Sequence, residues 1–248
     1  MLVCGAARGQ APIYSAAGIV NAVNYAAGPF APNDVLTVFG TNLSGSSTPV
    51  SATEALGVNL PISLGLVGVY VANMPAPVLF VSPTQINFLV PANLTPGSVP
   101  VFVEKQGVRG PIVSIDIVTA APALFPCANG YALAVDWNNG NAVIAPDTPA
   151  HSGDVVILYA TGLGMAGTME TGEVPASGSV INNLGILKIY LGGNAVGSNL
   201  IQYAGLTPGW AGLYQINLVL PANLGTNPEI SVTIGDQSSG AALKLAVQ

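Results

Sequence analysis

Charge is scarce in this chain. Five Lys and Arg and eleven Asp and Glu in 248 residues make up 6% of the sequence, against roughly 25% in an average soluble domain. The few basic residues, Arg8, Lys105, Arg109, Lys188 and Lys244, are scattered and the net charge is −6. No basic footprint exists to displace counterions from phosphates, which excludes nucleic acid and disfavours anionic membrane surfaces as partners. With one histidine and two cysteines, Cys4 and Cys127, neither a zinc cluster nor a disulfide framework can be built. Half of the residues are hydrophobic, yet no uninterrupted apolar run reaches the about 20 residues that a spanning helix needs. The most apolar stretches, Val67–Val81 and Ile112–Phe125, are broken by Pro, Gly, Asn or Asp. Outer-membrane barrel strands run about ten residues with polar lumen-facing positions, whereas Val35–Phe39 and Val155–Tyr159 are shorter and apolar on both faces. Helical amphipathic patterning is missing as well.

What is present is 30 Gly and 20 Pro among many Val, Ile, Thr and Ala, the composition of short strands joined by tight turns. The opening Met1–Ala11 has a short apolar piece followed by small residues. It resembles the end of a secretory signal peptide without the basic start and the apolar run of 7–15 residues. Residues 1–16 therefore read either as a signal-peptide remnant or as a tail.

Comparing the chain with itself reveals its organisation. Asp34-Val-Leu-Thr-Val-Phe-Gly-Thr-Asn-Leu43 aligns with Asp154-Val-Val-Ile-Leu-Tyr-Ala-Thr-Gly-Leu163, and Leu64-Gly-Leu-Val-Gly-Val-Tyr-Val71 aligns with Leu184-Gly-Ile-Leu-Lys-Ile-Tyr-Leu191, both 120 residues apart. Gln85-Ile-Asn-Phe-Leu-Val-Pro-Ala-Asn-Leu94 aligns with Gln215-Ile-Asn-Leu-Val-Leu-Pro-Ala-Asn-Leu224 at 130, which places a ten-residue insertion in the second unit. The spacing of strands and turns predicts an all-β protein of two tandem immunoglobulin-like β-sandwiches. The expected units are residues 17–119 and 127–248. The segment 120–126, rich in proline and apolar residues, reads as a stiff joint and not a tether. Asn138-Asn139-Gly140 marks a hairpin turn, and Ala11–Tyr25 alternates enough to form a strand on a sheet edge, its own or a neighbour's.

The run Pro32–Leu43 resembles the opening of TIG/IPT-type immunoglobulin-like domains. Val81–Asn87, Ala121–Phe125, Gly153–Gly164 and Gly205–Asn217 resemble the uncharacterised C-terminal domain of large secreted proteins of Solibacter and other acidobacteria. The resemblance covers residues 17–248 and implies a β-sandwich fold and an extracellular setting, with no activity and no catalytic residues to carry over.

The residues themselves offer little catalytic chemistry. His151 lies beside Ser152 and Asp154, but neighbours on one tight turn rarely reach the geometry of a triad. No Gly-x-Ser-x-Gly elbow and no phosphate-cradling glycine loop between strand and helix occurs. Asp136, Asp147 and Asp154 are weak candidates for a calcium site, since calcium takes oxygen ligands, although turn aspartates usually cap backbone. Glu170 and Glu173 flank Gly172 without an evident cleft. The aromatics Trp137, Tyr203 and Trp210 are candidate ligand-binding residues, the last two within the insertion special to the second unit. Tyr70 and Tyr190, at equivalent positions, read as core or tyrosine-corner residues.

Two non-enzymatic functions follow as expectations, neither calling for a cofactor, ahead of a third and less favoured one, a hydrolase with an unrecognised site. The first is a secreted structural or adhesive surface module, or an assembly subunit, meeting other protein subunits or extracellular polymers, with strand addition as one route to a homo-oligomer. The second is a carbohydrate-binding accessory module using its exposed aromatics.

Overall fold

A computed structural model describes residues 9–51, 57–240 and 243–248. The beginning of the expected leader or tail, residues 1–8 with Cys4 and Arg8, lies outside the described residues. The fold is all-β: the described residues contain strands and three single turns of 3-10 helix but no α-helix. None of their helical segments is long and apolar enough to cross a membrane.

The first sandwich uses β1 (Ile13–Asn21), β2 (Val35–Thr41), β3 (Val67–Val71), β4 (Val78–Val81), β5 (Gln85–Leu89), β6 (Gly97–Lys105) and β7 (Val113–Ile117). One antiparallel sheet runs β1-β2-β5-β4 and ends on a short strand at Thr48–Pro49, while the other runs β7-β6-β3 with Met74–Ala76 at its edge. The second sandwich contains β8 (Ala123–Leu124), β9 (Ala134–Asp136), β10 (Val155–Thr161), β11 (Leu187–Leu191), β12 (Ile201–Leu206), β13 (Tyr214–Val219) and β14 (Glu229–Ile234). Here β9-β10-β13-β12 forms the larger sheet, with β8 also on β10, and β11 pairs with β14 in the smaller one.

The repeat has a direct structural meaning. Val38 pairs with Ile86 as Leu158 pairs with Ile216, and Val69 pairs with Val103 as Ile189 pairs with Val232. All eight side chains are fully buried, in two separate cores. Alternation puts every second residue of these strands inside. The recurring Gln-Ile-Asn follows from the same period: Ile faces the core, and the flanking amides share the outer face. There Gln85 Nε2 donates to Asn87 Oδ1 and Gln215 Nε2 donates to Asn217 Oδ1, each at 2.9 Å. The Asp opening each unit caps its own turn, Asp34 Oδ2 accepting the Ala31 N–H and Asp154 Oδ2 accepting the His151 N–H.

Residues 13–16, grouped with the tail in the sequence reading, belong to β1, which pairs with β2 of its own sandwich. Tyr14 explains why. Its buried hydroxyl accepts the Val103 N–H and donates to the Pro111 carbonyl, so it ties the strand to the opposite sheet. Tyr70 is not a core residue: it sits half-buried on the outer face of β3, stacked on Phe102 at 4.7 Å. Arg109 lies 3.8 Å over that same Phe102 ring.

Candidate functional site

The candidate site is an aromatic cleft on the outer face of the second sandwich. Tyr159 faces outward because Leu158 and Ala160 on either side face the core. Where β1 of the first sandwich crosses β2 as one bulged strand, its counterpart is split into β8 and β9 by the excursion 125–133. The excursion brings two side chains beside Tyr159: the Phe125 N–H donates to Tyr159 O, the Tyr159 N–H to Leu133 O and the Leu133 N–H to Phe125 O. A second addition closes the cleft. The β12–β13 connection, Thr207–Leu213, replaces the short Ser82–Thr84 connection of the first sandwich and carries Trp210.

This loop is braced at both ends. The Thr207 N–H donates to Leu213 O, the Trp210 N–H to Thr207 O and the Gly209 N–H to Pro175 O. Phe125, Leu133, Tyr159, Thr207, Trp210 and Leu213 line a cleft of about 330 Å³. Trp210 is 58% exposed. None of the six lining residues is charged. Thr207 Oγ1 is buried there without a hydrogen-bond partner, a condition that typically costs about 1–3 kcal/mol.

Of the three aromatics expected from sequence, Trp210 lines the cleft and the other two do not. Trp137 stands 61% exposed beyond β9, at the tip of the Asn138–Gly140 hairpin. Tyr203 is structural. Its hydroxyl lies 2.7 Å from Leu206 O and 3.3 Å from Ser179 O, and its ring covers Gly178 and Gly205, where a Cβ would collide with it. Burial raises its pKa. Sequence reasoning missed Phe125 and Tyr159. Their signal was the alternation of β10 and the matching outward Phe39, 40% exposed, on β2.

The polar candidates cap turns. His151 is solvated: its Nδ1 lies 3.6 Å from Asp154 Oδ2, its side chain is 59% exposed, and no Ser152–His151 hydrogen bond forms among the described residues. Asp136 Oδ1 accepts the Asn138 N–H, Asp147 is exposed on its turn, and Glu173 accepts the Glu170 N–H. No three His, Cys, Asp or Glu side chains among the described residues converge where an ion could be held.

The joint between the sandwiches is tightly packed. Residues 120–126 run along the second sandwich: the Ala121 N–H donates to Gly162 O, and Ala123 and Leu124 pair with Thr161 and Ala160. Across the joint the Leu60 N–H donates to Gly172 O, the Val174 N–H to Val58 O and the Ala92 N–H to Thr171 Oγ1. At its centre lies Asp34, with no exposed surface. Thr161 Oγ1 is 3.2 Å from both Asp34 Oδ1 and Gly212 O. Burial pushes the Asp34 carboxyl up to about 7, with the Ala31 N–H and the Thr161 hydroxyl acting against it. Beneath it Tyr214 is fully buried, its hydroxyl donating to Gly164 O, and burial raises the phenol pKa. Glycines permit the approach: a Cβ on Gly162 would lie 2.0 Å from Ala121 O, and one on Gly212 would lie 2.4 Å from Leu89 Cδ1.

Residues 19–117, nearly the whole first sandwich, match the family model of the IPT/TIG domain. No curated protein matches the chain. Among solved structures the chain is similar to SGBP-B of the Bacteroides ovatus mixed-linkage glucan utilization locus, determined in complex with a mixed-linkage heptasaccharide. Identity is 9% over 88% of this chain and 43% of that one, with a TM-score of 0.34. It is also similar to domains 5–6 of the S-layer protein SbsC, with 14% identity, 95% and 98% coverage and a TM-score of 0.26. A third match is the extracellular region of plexin A4, with 13% identity, 100% and 19% coverage and a TM-score of 0.30. The chain thus spans less than half the length of the SGBP-B and plexin chains. The paired sheets identify the fold as two tandem immunoglobulin-like β-sandwiches, the first of which matches the IPT/TIG domain.

Proposed function

We propose that this chain is a secreted, non-enzymatic adhesive module in which a stiff pair of sandwiches presents one aromatic cleft to a protein subunit or an extracellular polymer. In this reading the boundary between the two units falls within 120–126. The observation that carries the reading is the origin of the cleft: both segments that build it, 125–133 and 207–213, are additions to the second sandwich. Within these additions Trp210 is left 58% exposed, so its ring does not fill a core. A braced aromatic anchor in an uncharged cleft has the composition of an interface hot spot, and bracing reduces the ordering cost of binding. The resemblance to secreted acidobacterial proteins supports the extracellular setting.

A second reading, carbohydrate binding, is favoured by three rings around an uncharged cleft, since ring faces stack on the apolar faces of sugars. Replacing Trp210 by Ala tests both. Melting should stay within about 0.5 kcal/mol of the parent, as for exposed positions generally. Self-association in sedimentation velocity, or retardation in gels containing soluble polysaccharides, should weaken by about thirtyfold or more, the loss typical of a hot-spot residue. Loss in sedimentation alone selects the protein partner, and loss in the gels alone selects the glycan. Unchanged behaviour in both assays removes the cleft from the function.

A further inference from the structure

We infer that the two sandwiches are locked together by a protonated Asp34, so that acid tightens the joint and rising pH loosens it. The argument begins with a proton count. Thr161 has one hydroxyl hydrogen, and its oxygen lies 3.2 Å from two acceptors, Asp34 Oδ1 and Gly212 O. If Asp34 is ionised, that hydrogen satisfies one acceptor and leaves the other facing an oxygen lone pair. If Asp34 carries a proton, Oδ1–H donates to Thr161 Oγ1 and the Thr161 hydroxyl donates to Gly212 O. Oδ2 accepts the Ala31 N–H in either case. Only the neutral acid completes the network, and buried polar groups are as a rule satisfied.

The surroundings agree. From its own turn Asp34 meets Ala31, and from β10 it meets Gly162 and Thr161, the latter also reaching Gly212 of the 207–213 loop. The titratable group facing it is Tyr214, whose phenol donates to Gly164 O and supplies no positive charge. Glu173, on the second sandwich, meets Asn59 elsewhere across the joint and adds only negative charge. Among the described residues no Lys or Arg pairs with Asp34, and its repeat counterpart Asp154 lies 3.6 Å from His151 Nδ1, partly exposed on the second sandwich. The same aspartate therefore caps the same turn in two settings, and only the one inside the joint is sealed from water. Desolvation without a cation favours the neutral acid.

The sign follows from linkage. With the docked carboxyl raised to about 7 from the 3.8 of a solvated one, docking takes up a proton. The docking constant is greatest below pH 4, falls by about tenfold per pH unit between 4 and 7, and is flat above that. The full chain can be read by NMR from pH 4 to 9, following the Asp34 carboxyl carbon together with amide protection factors of Leu60 and Ala92, whose N–H groups bond across the joint. The carboxyl should titrate near 7, with joint protection falling along that slope while the sheet-centre amide of Leu158 stays protected. Asp34→Asn, whose amide donates to Thr161 without a titrating proton, should hold the joint closed at every pH. Thr161→Val keeps the volume and removes the relay, and should lower joint protection at pH 5 about fivefold, the worth of one hydrogen bond. An Asp34 carboxyl that titrates below 5, or wild-type joint protection independent of pH, would overturn the inference. So would a Thr161→Val joint as protected as the parent.

Discussion

Asn42 and Gly162 hold the same place in the two repeats, and the contrast between them shows how one residue sets what a sandwich end can do. Both have positive φ, 58° and 74°. Asn42 uses its side chain: its Nδ2 donates to Ala11 O at 2.8 Å, and its carbonyl and side-chain oxygens receive the Nζ of Lys105, which is only 6% exposed. That end of the first sandwich is closed by its own residues. Gly162 has no side chain, and the vacated space admits Ala121 and the Asp34 carboxyl group. A Gly162→Ala change combines a strained φ with a Cβ 2.0 Å from Ala121 O and 2.7 Å from Asp34 Oδ1. It should cost more than about 3 kcal/mol in urea denaturation. Gly140, also at positive φ but with open space around its Cβ position, isolates the backbone contribution; Gly140→Ala should cost about 1 kcal/mol. Equal costs at the two sites would show that the close approach carries no energy.

At the scale of elements, β1 is the instructive case. It is an edge strand carrying exposed Ile13 and buried Ile19, and unpaired edges of this kind invite association. Tyr14 secures the strand to its own sandwich by bonding across to β6 and to Pro111. Tyr14→Phe preserves the ring and leaves the Val103 N–H and the Pro111 carbonyl without their partner. The expected loss is about 1–3 kcal/mol, measured by urea denaturation and accompanied by faster exchange of the Val103 amide. An unchanged Val103 exchange rate would mean that β1 is held by its ladder with β2 alone. The Gln-Ile-Asn strands show how much a short motif encodes: one apolar residue for the core, and two amides that pair with each other on the outer face.

For the whole molecule, the joint decides whether there are two independent sandwiches or one body. Each has its own core, so each could unfold alone. The bonds across 58–60, 92 and 171–174, with Asp34 and Thr161 between them, couple the two. Calorimetry at pH 5, where Asp34 is neutral, should show one cooperative transition for the parent chain and two for Gly162→Ala. Two transitions in the parent would mean that the joint is too weak to make the pair stiff. A stiff pair places the cleft of the second sandwich at a constant distance and angle from the first.

The local sequence determined the strands, their inward faces, the hairpin at Asn138–Gly140 and the repeat, because alternation and turn chemistry act over a few residues. It also showed that the second unit had extra material and that Trp210 lay in it. The tertiary structure alone decided what that material meets. Tyr203 and Trp210 look alike in sequence, but one ring covers Gly178 and Gly205 and the other stands in solvent. Phe125 and Tyr159 are unremarkable apolar residues until backbone bonds between Phe125, Leu133 and Tyr159 align them. Asp34 and Asp154 occupy the same motif, and the local difference between them, Ala31 against His151, does not foretell that one is sealed from water. What separates them is Thr161, 127 positions further on. Alternation assigns each side chain a face, whereas the partner covering that face is chosen by packing between segments more than a hundred residues apart.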